Sequence, residues 1–404
     1  GTFTTRQHLG SGYFAFAQNA PFGNLINLTN VSISNPWANY AGGNPFPLVL
    51  SKNVVFPTFG SYRTDPFGYK PVTLNQWNLS LQKQIAANWL VSANYVGNST
   101  IHLVTSTQLN PAIFMGLGSC SINGASYPVC STTANTSQRR ALYLQNPSQG
   151  QYYGGVNALD DGGTASYNGL LLTVQKRLSS GVSALANYTW SHCISDYYEA
   201  QVGVAAAVGL PGARRLFRGN CNTGDQRHVF NLSGVVQTPK FANSALRTIA
   251  SNWQFSPIMK VRSAQFFSVT LGVDAALNGQ PTQFPNLVGN PYVSNPSVDG
   301  WLDRAAFQTP PAGTVGNLAP NSLKGPGTFQ FDLGLSRTFL VREGTSLQLR
   351  GEAFNILNHL TPATPVAALN NTASFGKIQS DISGTSGLSA GNQRIIQVAL
   401  KFVF

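Results

Sequence analysis

Apolar and polar residues alternate with a period of two in a series of short runs, the mark of strands with two unlike faces. In QWNLSLQKQI, Trp77, Leu79, Leu81 and Ile85 share one face, interrupted by Lys83, and Gln76, Asn78, Ser80, Gln82 and Gln84 share the other. After the turn AAN, WLVSANYVG sets Trp89, Val91, Ala93 and Tyr95 against Ser92 and Asn94. NGLLLTVQKR alternates Leu170, Leu172 and Val174 with Thr173, Gln175 and Arg177, turns at LSSG, and returns as VSALANYTWS. There Val182, Ala184, Ala186, Tyr188 and Trp190 oppose Ser183, Asn187, Thr189 and Ser191. RHVFNLSGVVQTP with NWQFSPIMKVRSAQFFSVTL, and TFQFDLGLSRTF with TSLQLRGEAFNI, form two further pairs. The last run, RIIQVALKFVF, places Ile396, Val398, Leu400, Phe402 and Phe404 on one unbroken apolar face. SGYFAFAQ, residues 11–18, is expected to be a tenth strand.

The connections fall into two classes. Those after the first, third, fifth and seventh runs are short or moderate, whereas the others are long and rich in Gly, Pro, Asn and Ser. Strict alternation of this kind fits an outer-membrane barrel, with tight periplasmic turns and long external loops. Structureless loops of such length count against a compact soluble domain. The expected fold is therefore all-β, a transmembrane antiparallel up-and-down barrel. Residues 1–72 are read as a partial barrel strand plus a long external loop, and 73–404 as barrel strands with external loops near 98–165, 192–226, 272–327 and 357–392. The last strand then descends and leaves Phe404 at the periplasmic rim.

Composition sharpens this picture. Charged residues make up 9% of the chain, against roughly 25% in ordinary soluble domains. Hydrophobic residues reach 42%, yet no stretch supplies the ~18 uninterrupted apolar residues of a spanning helix. The formal net charge of +12 comes from scattered Lys and Arg, clustered only near Arg139 and over Arg214–Arg218. Nucleic-acid binding asks for a basic patch or stripe, and none is expected. The chain opens on GTFTTRQHLG, with no initiator Met or signal peptide, so further N-terminal sequence is expected.

The stretches NPWANYAGGNPFP, QWNLSLQKQI, ANYVGNSTIHL, SYNGLLLTVQKRLSSGVSALANYTWSH, GDQRHVFNLSGV, NWQFSPIMKVRSAQFFSV, FPNLVGNP, WLDRAAFQTP, GTVGNLAPNSLKGPG and LRGEAFNILNH follow one another in order. In series they resemble the C-terminal barrel of TonB-dependent receptor-like proteins, particularly the Oar-like receptors abundant in Acidobacteria. The resemblance implies a barrel of about 22 strands, a size at which the lumen is plugged. This chain would be roughly its C-terminal ten strands, with the plug, the coupling box and other N-terminal domains absent from it. It further implies an outer-membrane location, membrane lipid and the inner-membrane energy-coupling complex as partners, and uptake of a bulky solute: a glycan, peptide or siderophore. Residues Ile396, Val398, Leu400, Phe402 and Phe404 resemble the signal by which the barrel-assembly machinery captures an unfolded barrel, an apolar edge suited to strand addition. The alternative expectation is a structural or adhesive barrel without energy-coupled transport.

Candidate chemistry is sparse, and neither catalysis, a cofactor nor a metal is expected. For Cys120, Cys130, Cys193 and Cys221, all in expected external loops, Cys120–Cys130 and Cys193–Cys221 is the simplest of three possible pairings. WSHCISD holds Ser191, His192, Cys193 and Asp196, but catalytic groups meet through tertiary geometry rather than adjacency. Asp160 and Asp161 in ALDDGGTAS lack the ligand spacing of a calcium loop and read as a solvated turn. Asn98, Asn187 and Asn231 sit in N-x-S/T triplets that this composition produces by chance. Lys260, Arg262, Asp332, Arg350 and Glu352 fall on the polar, lumen-facing parity and are the candidates for contact with a ligand or plug.

Overall fold

The computed structural model describes residues 1–5, 28–47, 51–64, 70–196, 212–221, 225–280, 282–382 and 393–404, with residues 21, 23, 26 and 68 besides. Ten strands follow one another as a single meander: β1 (Thr2–Thr5), β2 (Val72–Ala86), β3 (Trp89–Gln108), β4 (Tyr153–Ser179), β5 (Val182–Ser195), β6 (His228–Gln237), β7 (Trp253–Arg262), β8 (Thr328–Arg342), β9 (Thr345–Phe354) and β10 (Ile395–Val403). Each is hydrogen-bonded to its neighbours in chain order, and every junction is antiparallel. The nine alternating runs of the sequence thus become β2–β10. The strand expected over 11–18 lies outside the described residues. At that end the structure shows β1, whose Thr2–Thr5 pair with Asn75–Val72 of β2.

Residues paired across an antiparallel ladder point to the same side, so the register carries each alternation across the sheet. One row runs Leu81, Ala93, Leu172, Tyr188, Phe230, Val261, Phe329 and is apolar on all seven strands. The adjacent row runs Gln82, Ser92, Thr173, Asn187, Asn231, Lys260, Gln330 and is polar throughout. Within it the Thr173 hydroxyl donates to Asn187 Oδ1 at 2.9 Å. A one-residue slip anywhere would exchange the two faces, so the pattern itself fixes the register. The apolar face is uncovered by protein: Leu81 is 63% and Val398 74% exposed. The core of this molecule therefore does not lie on the sheet.

The short connections follow from turn chemistry. Between β4 and β5, Ser180 (φ 49°) and Gly181 (φ 77°) are both left-handed, as a tight type I′ hairpin requires. On the apolar face the Trp77 indole occupies the space where a side chain at its partner Gly97 would sit.

At the opposite end the wall is taller than alternation suggests. β3 has 20 residues and β4 has 27, whereas about 9–11 cross a bilayer. Their ladder continues out to Gln108 opposite Asn157, through irregularities at Ile101/Leu103 and Leu103/Thr105. Gly60–Thr64 adds a parallel strand alongside Tyr153–Ala158. The loop expected near 98–165 is accordingly reduced to 109–152. The described parts of the long connections also fold rather than wander. Phe217, Phe267, Val269, Leu271, Phe284, Leu302, Phe307, Leu318, Leu323, Leu369 and Phe375 form one buried cluster, drawn from three of them. Short ladders brace it, at Phe266–Phe267 with Leu323–Lys324 and at Asn286–Leu287 with Phe307–Gln308.

Candidate functional site

The structure places all five charged candidates on the polar face, by register. Lys260 pairs with Gln330 and Arg262 with Thr328, while Glu352 and Arg350 alternate along β9 opposite Gln397 and Ala399 of β10. Arg350 donates to Glu352 Oε1 and Gln397 Nε2 donates to Glu352 Oε2 at 2.6 Å, so the carboxylate is held from both sides. Asp332, buried on β8, accepts the Asn355 backbone N–H at 2.8 Å and the Gln330 carboxamide at 2.9 Å. Asp332, Gln348, Arg350 and Glu352 line one groove of about 240 Å³ with Gln254 and Ser336. Lys260 and Arg262 stand outside it, nearer the loop end. Gln397 and Gln330 were not singled out from sequence; their polar parity was visible, and Gln330 reaches Asp332 two residues along its own strand, but only the β9–β10 register shows that Gln397 reaches Glu352.

At the loop end, charge is used to tie loops to the wall. Asp160 and Asp161 lie inside β4 and not in a solvated turn, because the ladder with β3 runs through them. Asp160 pairs with Arg214, and Asp161 Oδ2 accepts the Lys70 N–H at 2.7 Å. The side chain of Asp196 is fully buried. It receives the Thr164 hydroxyl at 2.6 Å and the guanidinium groups of Arg215 and Arg218, each at 2.8 Å. Burial alone would raise this carboxyl, but the Thr164 and Arg218 hydrogen bonds, with the charges of Arg218 and Arg215, outweigh it and hold it below the ordinary aspartate value. Asp225 shows the opposite balance: burial raises it, and Arg227 at 3.9 Å offsets this only in part. The ARRLFR cluster is thus ion-paired to the wall.

Arg139, read from sequence as half of a small basic cluster, is entirely buried. Its Nε donates to Asn135 Oδ1 (2.9 Å), Nη1 to the Ile113 and Leu277 carbonyls (2.6 and 2.8 Å), and Nη2 to the Thr132 carbonyl (2.8 Å). Burial lowers its pKa from the usual arginine value. The loops of 109–152 and 263–327 meet at this group. Asn220 and Asn321 exchange side-chain to carbonyl bonds at 2.6 and 3.2 Å, joining a third loop, and Leu369 N–H to Thr270 carbonyl, 2.8 Å, joins a fourth.

Disulfides link Cys120 to Cys130 and Cys193 to Cys221. Cys193 sits on β5, near its outer end, and not in a loop. Ser191 donates to the Gln226 carbonyl at 3.2 Å, so the members of WSHCISD are engaged separately. Asn187 and Asn231 are partners on the polar face of β5 and β6. The alternate residues Ile396, Val398, Leu400 and Phe402 lie exposed along β10, the edge of the sheet, with Phe404 just beyond it.

The family described as the outer membrane beta barrel domain matches residues 1–397, and the chain belongs to it. Its localisation is accordingly the bacterial outer membrane, and the apolar face meets lipid. No curated protein sequence matches. Among solved structures, the outer membrane transporter YddB from Escherichia coli is similar at 10% identity, covering 87% of this chain and 34% of that one, with a TM-score of 0.39. BauA, the ferric preacinetobactin receptor from Acinetobacter baumannii, is similar at 9% identity over 83% and 30% of the two chains, TM-score 0.36. The FrpB iron transporter from Neisseria meningitidis is similar at 11% identity over 85% and 33%, TM-score 0.36. The chain spans about a third of the length of these structures.

Proposed function

We propose that this outer-membrane chain supplies wall and external loops to a TonB-dependent receptor-like transporter of the Oar-like type, its strands being the C-terminal part of a barrel of about 22. The observation that carries the reading is the open meander. β1 and β10 are not bonded to one another among the described residues, while a polar row crosses seven consecutive strands and ends against charged side chains. Such a wall suits a wide, water-filled lumen. In this reading a separate plug fills that lumen, an inner-membrane complex supplies the energy, and the assembly machinery reads the apolar edge of β10. The external layer captures a bulky solute, a glycan, peptide or siderophore, and Asp332, Arg350 and Glu352 meet solute or plug on its passage. The chain has no catalytic role.

The test is uptake by cells carrying the full-length protein, with and without a protonophore, compared with a deletion strain and with Arg350→Glu. Accumulation that needs both the gene and the proton gradient, and falls in Arg350→Glu with normal membrane levels, is expected. Unchanged uptake in the deletion strain would end the transport reading. A second reading, a structural or adhesive barrel, is favoured by the external loops being tied into one preformed layer, since adhesion needs a fixed outer surface. Loss of surface attachment without loss of uptake would select it.

A further inference from the structure

The turn between β6 and β7 is longer than the other short-end turns, and it contains a helix, Ser244–Ala250. Asn243 caps it, its Oδ1 accepting the N–H groups of Ala245 and Leu246 at 3.0 and 3.2 Å. At helical spacing, Ala245, Leu246 and Ile249 share one side and Ser244, Arg247 and Thr248 the other. None of its residues is buried; Leu246 is 50% and Ile249 69% exposed.

What holds this helix is its C-terminal end, on the apolar side of the wall. Trp253 and Arg337 are register partners on the face that continues through Leu349 and Leu400. The Trp253 indole donates to the Ile249 carbonyl at 2.7 Å. Arg337 donates to the Ile249 carbonyl at 3.1 Å and to that of Thr248, a favourable place for a cation at a helix C-terminus. Its guanidinium stacks over Trp253 and Phe339, 5.5 and 4.6 Å from the ring centres. An arginine on lipid-facing parity is thereby held at the rim, with Lys176 on β4 in a similar position, donating to the Val182 carbonyl at 2.7 Å.

We propose that Ser244–Ala250 is an interfacial foot: a short amphipathic helix lying in the periplasmic leaflet, with Leu246 and Ile249 among phospholipid acyl chains and Arg247 at the headgroups. The helix continues the apolar surface of the wall. The helix is fixed to the lipid-facing surface, at the level where Trp, Tyr and cationic side chains mark a membrane interface, and its apolar side extends that surface. In water those side chains would be left exposed; in the leaflet boundary they are buried, as in other interfacial helices. The inference rests on membership of the outer-membrane barrel family and is independent of transport, so either can fail alone.

The test uses a fluorescent label on Ile249→Cys and, separately, on Ser244→Cys, in the protein folded into nanodiscs of phosphatidylethanolamine and phosphatidylglycerol. All four natural cysteines are in disulfides, so no native thiol competes. The label at 249 is expected to be blue-shifted, strongly quenched by lipids carrying a nitroxide near the top of the acyl chain, and shielded from aqueous iodide, with 244 several-fold more accessible to iodide. Equal iodide quenching at both positions, with no lipid quenching at 249, would overturn the proposal and leave the helix in the periplasm. Retained heat-modifiable mobility on gels shows that each variant is folded, and Leu246→Cys repeats the measurement at an independent site.

Discussion

Arg139 shows how much one side chain can hold when its geometry is spent entirely on backbone. Its planar fork reaches three carbonyls and one carboxamide at 2.6–2.9 Å, and among the described residues no carboxylate pairs with it directly. Replacing it with Met removes the guanidinium donors from the Ile113, Leu277 and Thr132 carbonyls, at about 1–3 kcal/mol for each group stranded, while Asn135 Oδ1 still accepts from the Thr132 N–H and hydroxyl. Lysine keeps the charge but lacks the fork. Arg139→Met and Arg139→Lys should therefore both loosen residues 109–152, measured as faster amide exchange and tryptic cleavage there, with β2–β10 unaffected. Rescue by Lys to native protection would show that charge, and not directional bonding, is what matters.

The two buried aspartates of the loop end predict opposite responses to acid. Asp196 is held below its ordinary value, so the stability it contributes is present above the unfolded aspartate pKa, near 3.9, and is lost as pH falls through the lower folded value. Asp225 is raised, so its ionisation opposes folding above that raised value and protonation relieves it. Asp225→Asn should raise the melting temperature of the loop layer at neutral pH, with the gain shrinking toward pH 4. Asp196→Asn should lower it at neutral pH and cease to matter only in stronger acid. Parallel pH profiles for the two variants would show that the two carboxyls do not sit in opposite environments.

At the scale of the strand, the two faces give a sharper contrast. Phe230 and Asn231 are adjacent on β6, one in the apolar row and one in the polar row. Phe230→Lys puts a charge against lipid, at a cost of about 2–4 kcal/mol near the bilayer midplane, whereas Asn231→Glu puts its charge on the water-facing row, directly opposite Lys260. Folding yield, read from heat-modifiable gel mobility, should fall in the first and stay near native in the second. The same contrast explains what was legible beforehand. β2–β10 were visible because lipid on one side and water on the other impose a period of two. Beyond the bilayer that constraint ends: NSTIHLVTSTQ and YGGVNALDDGGTA carry no sustained apolar face, so the outer parts of β3 and β4 read as loop, and Asp160 as a turn residue. The charged candidates of β7–β9 share the polar parity, and Arg350 and Glu352 stand two residues apart on one strand, but the approach of Gln397 to Glu352 depends on the β9–β10 register between segments distant in sequence.

For the molecule as a whole, the uncovered apolar sheet and the buried loop cluster imply two bodies with different sources of stability. The wall is held by ladder hydrogen bonds and lipid. The outer layer is held as a small globular core, from Phe217 to Phe375, by the Cys193–Cys221 bridge, and by Arg139, Arg214, Arg215 and Arg218. That core escaped sequence reading because its members come from separate loops with no common period. Local unfolding in such a layer should be cooperative and below the global limit. On heating in nanodiscs, amides around Val269, Leu271, Leu302, Phe307 and Leu369 should lose protection together, before any wall strand. Reduction of the disulfides should advance this first transition alone, as should Arg139→Lys, because the wall contains neither constraint across its lipid-spanning rows. A single transition in which layer and wall exchange together would mean that the layer has no stability of its own. The external surface would then be free to rearrange only by disturbing the barrel, which would count against the proposed role as a solute-capturing mouth.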